Sequence, residues 1–351
     1  MTVCAHFGAC GGCTLQDLSP DAYRARKRHG VVTALARAGL GDVVVEEPLL
    51  VPERTRRRAA FKLGKEKGKV VAGFHAARSH AIVDMRECLV LTPALLALTD
   101  DLRRALAPIL SEGEKAELHA TETDTGLDLA FRWPRKLTPA LTASIGQAFS
   151  NNNVGRIVFN GEILFEQRTP CVDIGGVMVA PPPHVFLQAT REGEAALQAR
   201  VQALTRGAKQ IADLFAGLGT FTLPLARRAK IQAVEQDPQA LAAMADAARK
   251  ATGLKPITTE RRDLFKLPLS PLELNRFDAV VLDPPRAGAE AQARALAASK
   301  IRTVAYVSCD AASFARDAAI LVQAGFRAGP VTPVDQFLYS DHIELVGSFT
   351  R

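Results

Sequence analysis

The chain has 351 residues, of which 48% are hydrophobic and 23% charged, with a formal net charge of +7. That length is enough for two or three domains with separate cores. No apolar run approaches the ~20 residues of a membrane helix, and the polar, cysteine-rich start is not patterned as a signal peptide. A cytoplasmic chain is expected, working without a membrane and as a monomer.

The N-terminal segment, 1–42, opens with Cys4, Cys10 and Cys13, separated by Gly8, Gly11 and Gly12. Short glycine-rich spacing lets several thiolates converge on one centre without steric conflict. Three ligands call for a fourth, and Cys88 is the nearest remaining cysteine. A disulfide is not expected in a reducing compartment. Spacing alone leaves iron–sulfur and zinc both open. Residues 1–70 also carry 13 Lys and Arg against 7 Asp and Glu, while the rest of the chain is nearly neutral. A basic end on a neutral body suits a polyanion such as RNA. The plainer alternative is a solvated basic face that aids solubility.

Residues 43–178 read as a central α+β domain. Strands are predicted over 59–63, 70–75, 127–132 and 156–159, with helices over 93–110 and 139–152. The run Ala180-Pro181-Pro182-Pro183-His184 marks a linker, because consecutive prolines continue neither a helix nor a central strand. From 179 to 351 the signals alternate as a doubly wound, Rossmann-like sheet requires. Strands are predicted over 210–213, 231–235, 256–259, 277–282 and 303–308. The helices between them cover 220–229, 238–252, 289–299 and 311–324. A final strand pair, near 327–334 and 342–349, closes the sheet.

The loop Asp213-Leu214-Phe215-Ala216-Gly217-Leu218-Gly219-Thr220 follows a predicted strand and opens a helix. Glycines there let backbone approach a ligand closely, and Glu235 at the next strand end is placed to accept from ribose hydroxyls. The sixth position of a dinucleotide fingerprint is not glycine, and Asp213 would repel a pyrophosphate. Both points favour S-adenosylmethionine over NAD. Asp263 and Asp283 end later segments of the same half.

Asp283-Pro284-Pro285-Arg286 carries an arginine where an aromatic residue would stack on an amine-bearing ring, which lowers the case for exocyclic-amine methylation. Cys309 ends the next strand instead. C5 of uracil is a poor nucleophile until a thiolate adds at C6. A base must later remove the C5 proton so that the thiolate can leave. The chemistry thus needs one thiol, one carboxylate and one methyl donor. A free thiol, with a pKa near ~8.5, needs help to ionise, and Arg286 or the following helix N-terminus is the expected source.

The chain resembles the RNA uracil-C5 methyltransferases, which make 5-methyluridine, and most closely their 23S ribosomal members. The likeness runs through Cys4, Phe7-Gly8-x-Cys10-Gly11-Gly12-Cys13-x-Leu15-Gln16 and Ser79-His80-x-Ile82-Val83-Asp84-x-x-x-Cys88. It continues in Phe186-Leu187-Gln188, the loop from Asp213 to Thr220, Asp283-Pro284-Pro285-Arg286, Ser308-Cys309, Ala315-Arg316-Asp317, and Asp335-x-Phe337 with His342-x-Glu344. The resemblance implies a [4Fe–4S] cluster on Cys4, Cys10, Cys13 and Cys88. It also implies S-adenosylmethionine among Gln188, Phe215, Gly217, Thr220, Glu235, Asp263 and Asp283, with Cys309 as nucleophile and Glu344 as base. The RNA partner is expected to be ribosomal rather than transfer RNA, with a non-catalytic RNA-binding protein on the same fold as the rival reading. Two departures stand out. Asp310-Ala311 replaces the usual Asn-Pro after the nucleophile, and Leu338-Tyr339-Ser340 replaces a Pro-His-Thr. The small β-barrel that often precedes the first cysteine is also missing from this sequence, so the grip on RNA is expected from the arginines at 24–28 and 54–58.

Overall fold

The computed structural model describes residues 3–149 and 153–351. Helix α1 (Pro20–Arg37) starts where the Ser19 side chain accepts from the Ala22 N–H and Pro20 fills the first turn. Its buried stripe is Tyr23, Lys27, Val31 and Leu35. A lysine in that stripe hides the apolar period, and the sequence reading assigned no helix here. Strand β1 (Leu49–Leu50) follows.

The central sheet contains β2 (Arg58–Glu66), β3 (Lys69–His75), β4 (Ile82–Asp84), β5 (Lys115–Thr123), β6 (Gly126–Arg132), β7 (Val154–Phe159) and β8 (Glu162–Glu166), in the order β4-β3-β2-β5-β6-β7-β8. All neighbours are antiparallel except β6 and β7. The parallel pair needs a crossover, which α3 (Pro139–Phe149) provides. Residues 150–152 of the predicted helix lie outside the described residues. Helix α2 (Pro93–Leu106) buries Leu95, Leu98, Leu102 and Leu106 in a core with Phe61, Leu118, Phe131 and Trp133. β5 escaped prediction because its buried positions are held by the small Ala116 and Ala120 around Leu118, a weak apolar alternation flanked by Lys115, Glu117 and His119.

Two short strands, β9 (Val172–Asp173) and β10 (Met178–Val179), form a hairpin ahead of α4 (Arg191–Leu204). The C-terminal half then runs β11 (Gln210–Leu214), α5 (Thr222–Ala226), β12 (Lys230–Glu235), α6 (Pro238–Lys250), β13 (Ile257–Arg261), α7 (Pro271–Leu274), β14 (Ala279–Leu282), α8 (Glu290–Ala297), β15 (Thr303–Ser308), α9 (Ala311–Gln323), β16 (Arg327–Ala328), β17 (Thr332–Asp335) and β18 (Glu344–Thr350). The sheet order is β13-β12-β11-β14-β15-β18-β17-β1, with β16 also on β18. β11 to β15 are parallel; β18 lies antiparallel to both β15 and β17.

The five predicted parallel strands are present, and the expected closing pair is divided between β16, β17 and β18. β14 and β15 are buried on both faces, hence their uninterrupted apolar runs. N-terminal residues complete this half. β1 pairs with β17, Val45 bridges to Val331, and Val31 and Leu35 enter the core around Phe314 and Leu345. Among the described residues no helix is long and apolar enough to cross a membrane.

Candidate active site

The strand order reverses between β11 and β14, the position at whose carboxyl ends open α/β sheets bind their ligands. After β11 the backbone takes left-handed conformations at Phe215 (φ 64°), Gly217 (φ 52°) and Gly219 (φ 91°). A Cβ at Gly219 would lie 2.7 Å from Met244 Sδ, so α6 packs against a position that only glycine fits. Phe215 bears that conformation with a full side chain, and its ring rests on Phe265.

Glu235 ends β12 and is tied to this loop. Its Oε2 accepts from Gly217 N–H at 3.0 Å, and its Oε1 accepts from Gln236 and Asp237 N–H at 2.7 and 2.9 Å. Asp263 instead holds its own turn, accepting from Phe265 and Lys266 N–H at 3.1 and 3.3 Å. Thr220 uses its carbonyl to accept from Gln198 Nε2 at 3.0 Å. Asp213 is fully buried; one carboxylate oxygen accepts from Thr222 Oγ1 at 2.6 Å and the other has no partner among the described residues. Burial pushes its pKa up to about 7, with the Glu235 charge adding. Asp283, just past β14, is also raised to about 7, by burial and then by Asp213.

Cys309 follows β15. Glu344 opens β18, one position beyond the Ser308–Leu345 pairing, so the antiparallel strand returns a carboxylate to the thiol's edge of the sheet. Both line one cavity of about 1100 Å³. Glu344 is 4% exposed, and burial followed by the Asp283 charge raises it to about 8, against a hydrogen bond from Gln336. Gln336 was passed over in the sequence, where it is the unspecified position between Asp335 and Phe337. It is wholly buried; its Nε2 donates to Gln188 Oε1 at 2.6 Å while its Oε1 accepts from Ala189 N–H at 3.0 Å. Gln188 therefore joins the site through Gln336.

Cys309 is half-buried, and its thiol is pushed up to about 11, first by burial, then by Glu344 and Asp283, and least by Asp310. Asp310 turns away to cap α9, accepting from Ala312 and Ser313 N–H at 3.0 and 2.9 Å. Arg286 pairs with Asp310 at 3.3 Å. It is not among the main groups that set the Cys309 pKa, and its guanidinium is turned to Asp310. Nor is any cation among the groups that set Asp213, Asp283 and Glu344. The site gathers a thiol and three acidic side chains that make no ion pair among the described residues, and the arginine beside them on the cavity wall, Arg286, is turned to Asp310.

The same cavity extends to Cys4, Cys10, Cys13 and Cys88, all half-buried. The N-terminal loop is held there by Gly11 N–H to His75 O at 2.9 Å and Thr14 N–H to Tyr339 O at 2.7 Å. Burial raises Cys13 to about 11, and the Cys88, Cys10 and Cys4 thiols raise it further. Among the described residues, no three His, Cys, Asp or Glu side chains close around a single metal ion. Phe215, Gly217, Thr220, Glu235, Asp263 and Asp283 lie along the strand ends, not on the wall of this cavity.

Residues 186–350 match the family model described as tRNA (uracil-5-)-methyltransferase. An uncharacterized RNA methyltransferase of Rhizobium meliloti is 42% identical over 99% of this chain and 85% of its own length. The 23S rRNA (uracil(1939)-C(5))-methyltransferase RlmD of Chromohalobacter salexigens is 34% identical over 99% of this chain and 76% of its own. In three dimensions the chain is similar to the Pyrococcus abyssi tRNA (uracil-54, C5)-methyltransferase, solved with S-adenosyl-L-homocysteine. The TM-score is 0.78 at 22% identity, covering 97% of this chain and 86% of that one. This last likeness shows a shared fold.

Proposed function

The chain belongs to the tRNA (uracil-5-)-methyltransferase family of RNA methyltransferases, and on that premise we propose that it methylates C5 of a uridine in ribosomal RNA, with S-adenosylmethionine as donor. The observation that carries the reading is a thiol and a proton-accepting carboxylate, Cys309 and Glu344, on one cavity wall, near the strand-end carboxylates Asp213 and Asp283, which make no ion pair among the described residues. Such a site suits a positively charged donor. S-adenosylmethionine supplies a methyl group on a sulfonium. The loop from Phe215 to Gly219 would take the adenosine side, Glu235 the ribose, and Asp283 the region of positive charge. Asp263, given to its own turn, and Thr220 would border the ligand.

Cys309 acts as a thiolate and forms a bond from Sγ to C6 of the uracil, leaving the electron pair on C5 and O4. C5 then takes the methyl group and becomes tetrahedral, while the methyl–sulfur bond breaks and its electron pair stays on the departing sulfur, now a neutral thioether. Glu344 removes the remaining C5 proton, the C5–C6 double bond re-forms, and the Sγ–C6 bond breaks to return the thiolate. Gln336 orients Glu344, and a buried base with a raised pKa is matched to proton transfer near neutrality. The uridine would have to leave its stack to reach this cavity.

Four cysteines lie on one cavity, and the family resemblance is what favours a [4Fe–4S] cluster over zinc there. Cys4, Cys10, Cys13 and Cys88 would hold it, joining the N-terminal loop to the central sheet, and methylation itself moves no net electrons. Ribosomal over transfer RNA is supported by likeness to the 23S enzyme along 99% of the chain.

The test is methyl transfer from labelled S-adenosylmethionine to unmodified ribosomal and transfer RNA, followed by mass spectrometry of nucleosides. We expect 5-methyluridine in ribosomal RNA. Methyl groups on another base, or none on any RNA, would overturn the assignment.

A further inference from the structure

We propose that a second cavity, beside the one holding Cys309, binds a backbone phosphate of the RNA strand next to the target uridine; the proposal rests on the enzymatic reading above. This cavity measures about 440 Å³ and shares Arg56, Ala59, Phe186 and Phe337 with the first. Arg56 and Arg58 lie two residues apart at the entry to β2, which puts them on one face of an extended chain. Arg57 between them points the other way and pairs with Glu194 at 2.5 Å. Arg56 donates from Nε to Arg58 O at 3.1 Å, and Arg58 donates to Leu187 O. Neither guanidinium has a carboxylate partner among the described residues.

Both instead lie over aromatic rings, Arg56 at 5.7 Å from the Phe337 centroid and Arg58 at 4.9 Å from that of Phe186. Burial, with repulsion from Arg56 and Arg57, lowers Arg58 to about 10. Arg132, His119 and His184 add to the same wall. Its carboxylate, Asp128, is already occupied by Arg156 at 2.9 and 2.7 Å. A desolvated guanidinium without an anion is costly, and its fork of donors matches a phosphate. Phe186 is 62% exposed, a free ring face on the shared rim where an unstacked base can rest. Arg56 also senses the Cys88 and Cys13 charges, which leaves Arg58 and Arg132 as the pair given to the incoming strand.

The test is binding of a fluorescein-labelled oligouridylate of about 12 nucleotides to the full-length protein, by anisotropy across a KCl series. For single-stranded RNA, each phosphate that a variant no longer neutralises should reduce the slope of log affinity against log salt by ~0.7. We expect one such step for Arg132→Gln and two for Arg58→Gln/Arg132→Gln, with KM for ribosomal RNA rising and kcat nearly unchanged. Arg132 is exposed and makes no ion pair among the described residues, so its variant is read independently of any folding defect from Arg58. Lys230→Gln, an exposed residue at the amino-terminal start of β12 and on the wall of neither cavity, should leave the slope unchanged. Equal slopes in wild type and both variants, or no binding by wild type at low salt, would overturn the phosphate site. A wild type that methylates no RNA would instead overturn the enzymatic reading.

Discussion

Two neighbouring cavities meet at Phe186 and Phe337 with opposite electrostatics. One holds half-buried guanidinium groups without carboxylate partners; the other lies beside Asp213, Asp283 and Glu344, which are raised by burial and make no ion pair among the described residues. Elsewhere this protein pairs its buried charges, as in Lys27–Asp335 at 2.8 Å, Arg57–Glu194 at 2.5 Å and Arg156–Asp128 at 2.7 Å. Among the described residues, unpaired charge thus gathers at two places that suit a ligand of the missing sign, a phosphate on one side and a sulfonium on the other, with one Glu122 carboxylate oxygen buried without a partner elsewhere. Stability is forgone at the site so that binding supplies the counter-charge.

The largest effect expected at the acidic side is Cys309→Ala, which should lower methylation by ~10⁴-fold or more, as losing a covalent nucleophile does, while S-adenosylmethionine still binds by calorimetry. Near-normal turnover would end the covalent mechanism. Glu344→Gln should slow turnover by ~10²–10⁴-fold and trap a Cys309–RNA adduct that survives denaturing gels. If neither the slowing nor the adduct is seen, another group is the base.

The acidic groups also predict a pH response. Asp283 and Glu344 have folded pKa values near 7 and 8 against ordinary values of 3.8 and 4.5. The folded state holds these protons where the unfolded state has lost them, so their stabilisation is complete below about pH 4 and is lost as pH rises toward 7–8. The ligand-free protein should thus melt at lower temperature at pH 8 than at pH 6. A cation beside Asp283 favours its ionised form, so affinity for S-adenosylmethionine should rise over the same interval, by up to ~10-fold per unit for each group. Asp283→Asn should flatten both trends. Melting curves and calorimetry at three pH values check this, and an unchanged slope in the variant would remove Asp283 from the cation's surroundings.

Glu235, Asp283 and Cys309 were visible in the sequence, because strand ends carry both topology and chemistry, whereas Glu344 entered only through the family resemblance. Apolar runs such as Ala279–Leu282 locate the parallel strands, and the residue after each run falls at the crevice. Beyond β5, the helices that stayed hidden share a physical cause. α1 and α4 bury Lys27 and Glu194 within their stripes, and the partners that neutralise them lie 308 and 137 residues away in the chain. A core position occupied by charge reads as surface until its partner is known. Gln336 was hidden in the same way, being a buried amide whose contacts, Gln188 and Ala189, come from a distant segment.

The smallest expected effect separates charge from geometry beside the nucleophile. In sequence, Asp310 looks hostile to a thiolate. In the structure its carboxylate faces the α9 N-terminus and Arg286. Burial opposes its ionisation, but the Ser313 and Ala312 N–H groups and Arg286 more than offset this and hold its pKa below the ordinary value. An asparagine there can accept from the same N–H groups and keeps the cap. Asp310→Asn should therefore change kcat within ~2-fold, since the charge it removes is the least of those acting on Cys309. Asp310→Ala should cost ~1 kcal/mol of stability through the lost cap, with a correspondingly lower melting temperature. A large gain in rate for Asp310→Asn would show that this carboxylate faces the thiol during catalysis, and the acidic crevice would then extend one residue further than its hydrogen bonds indicate.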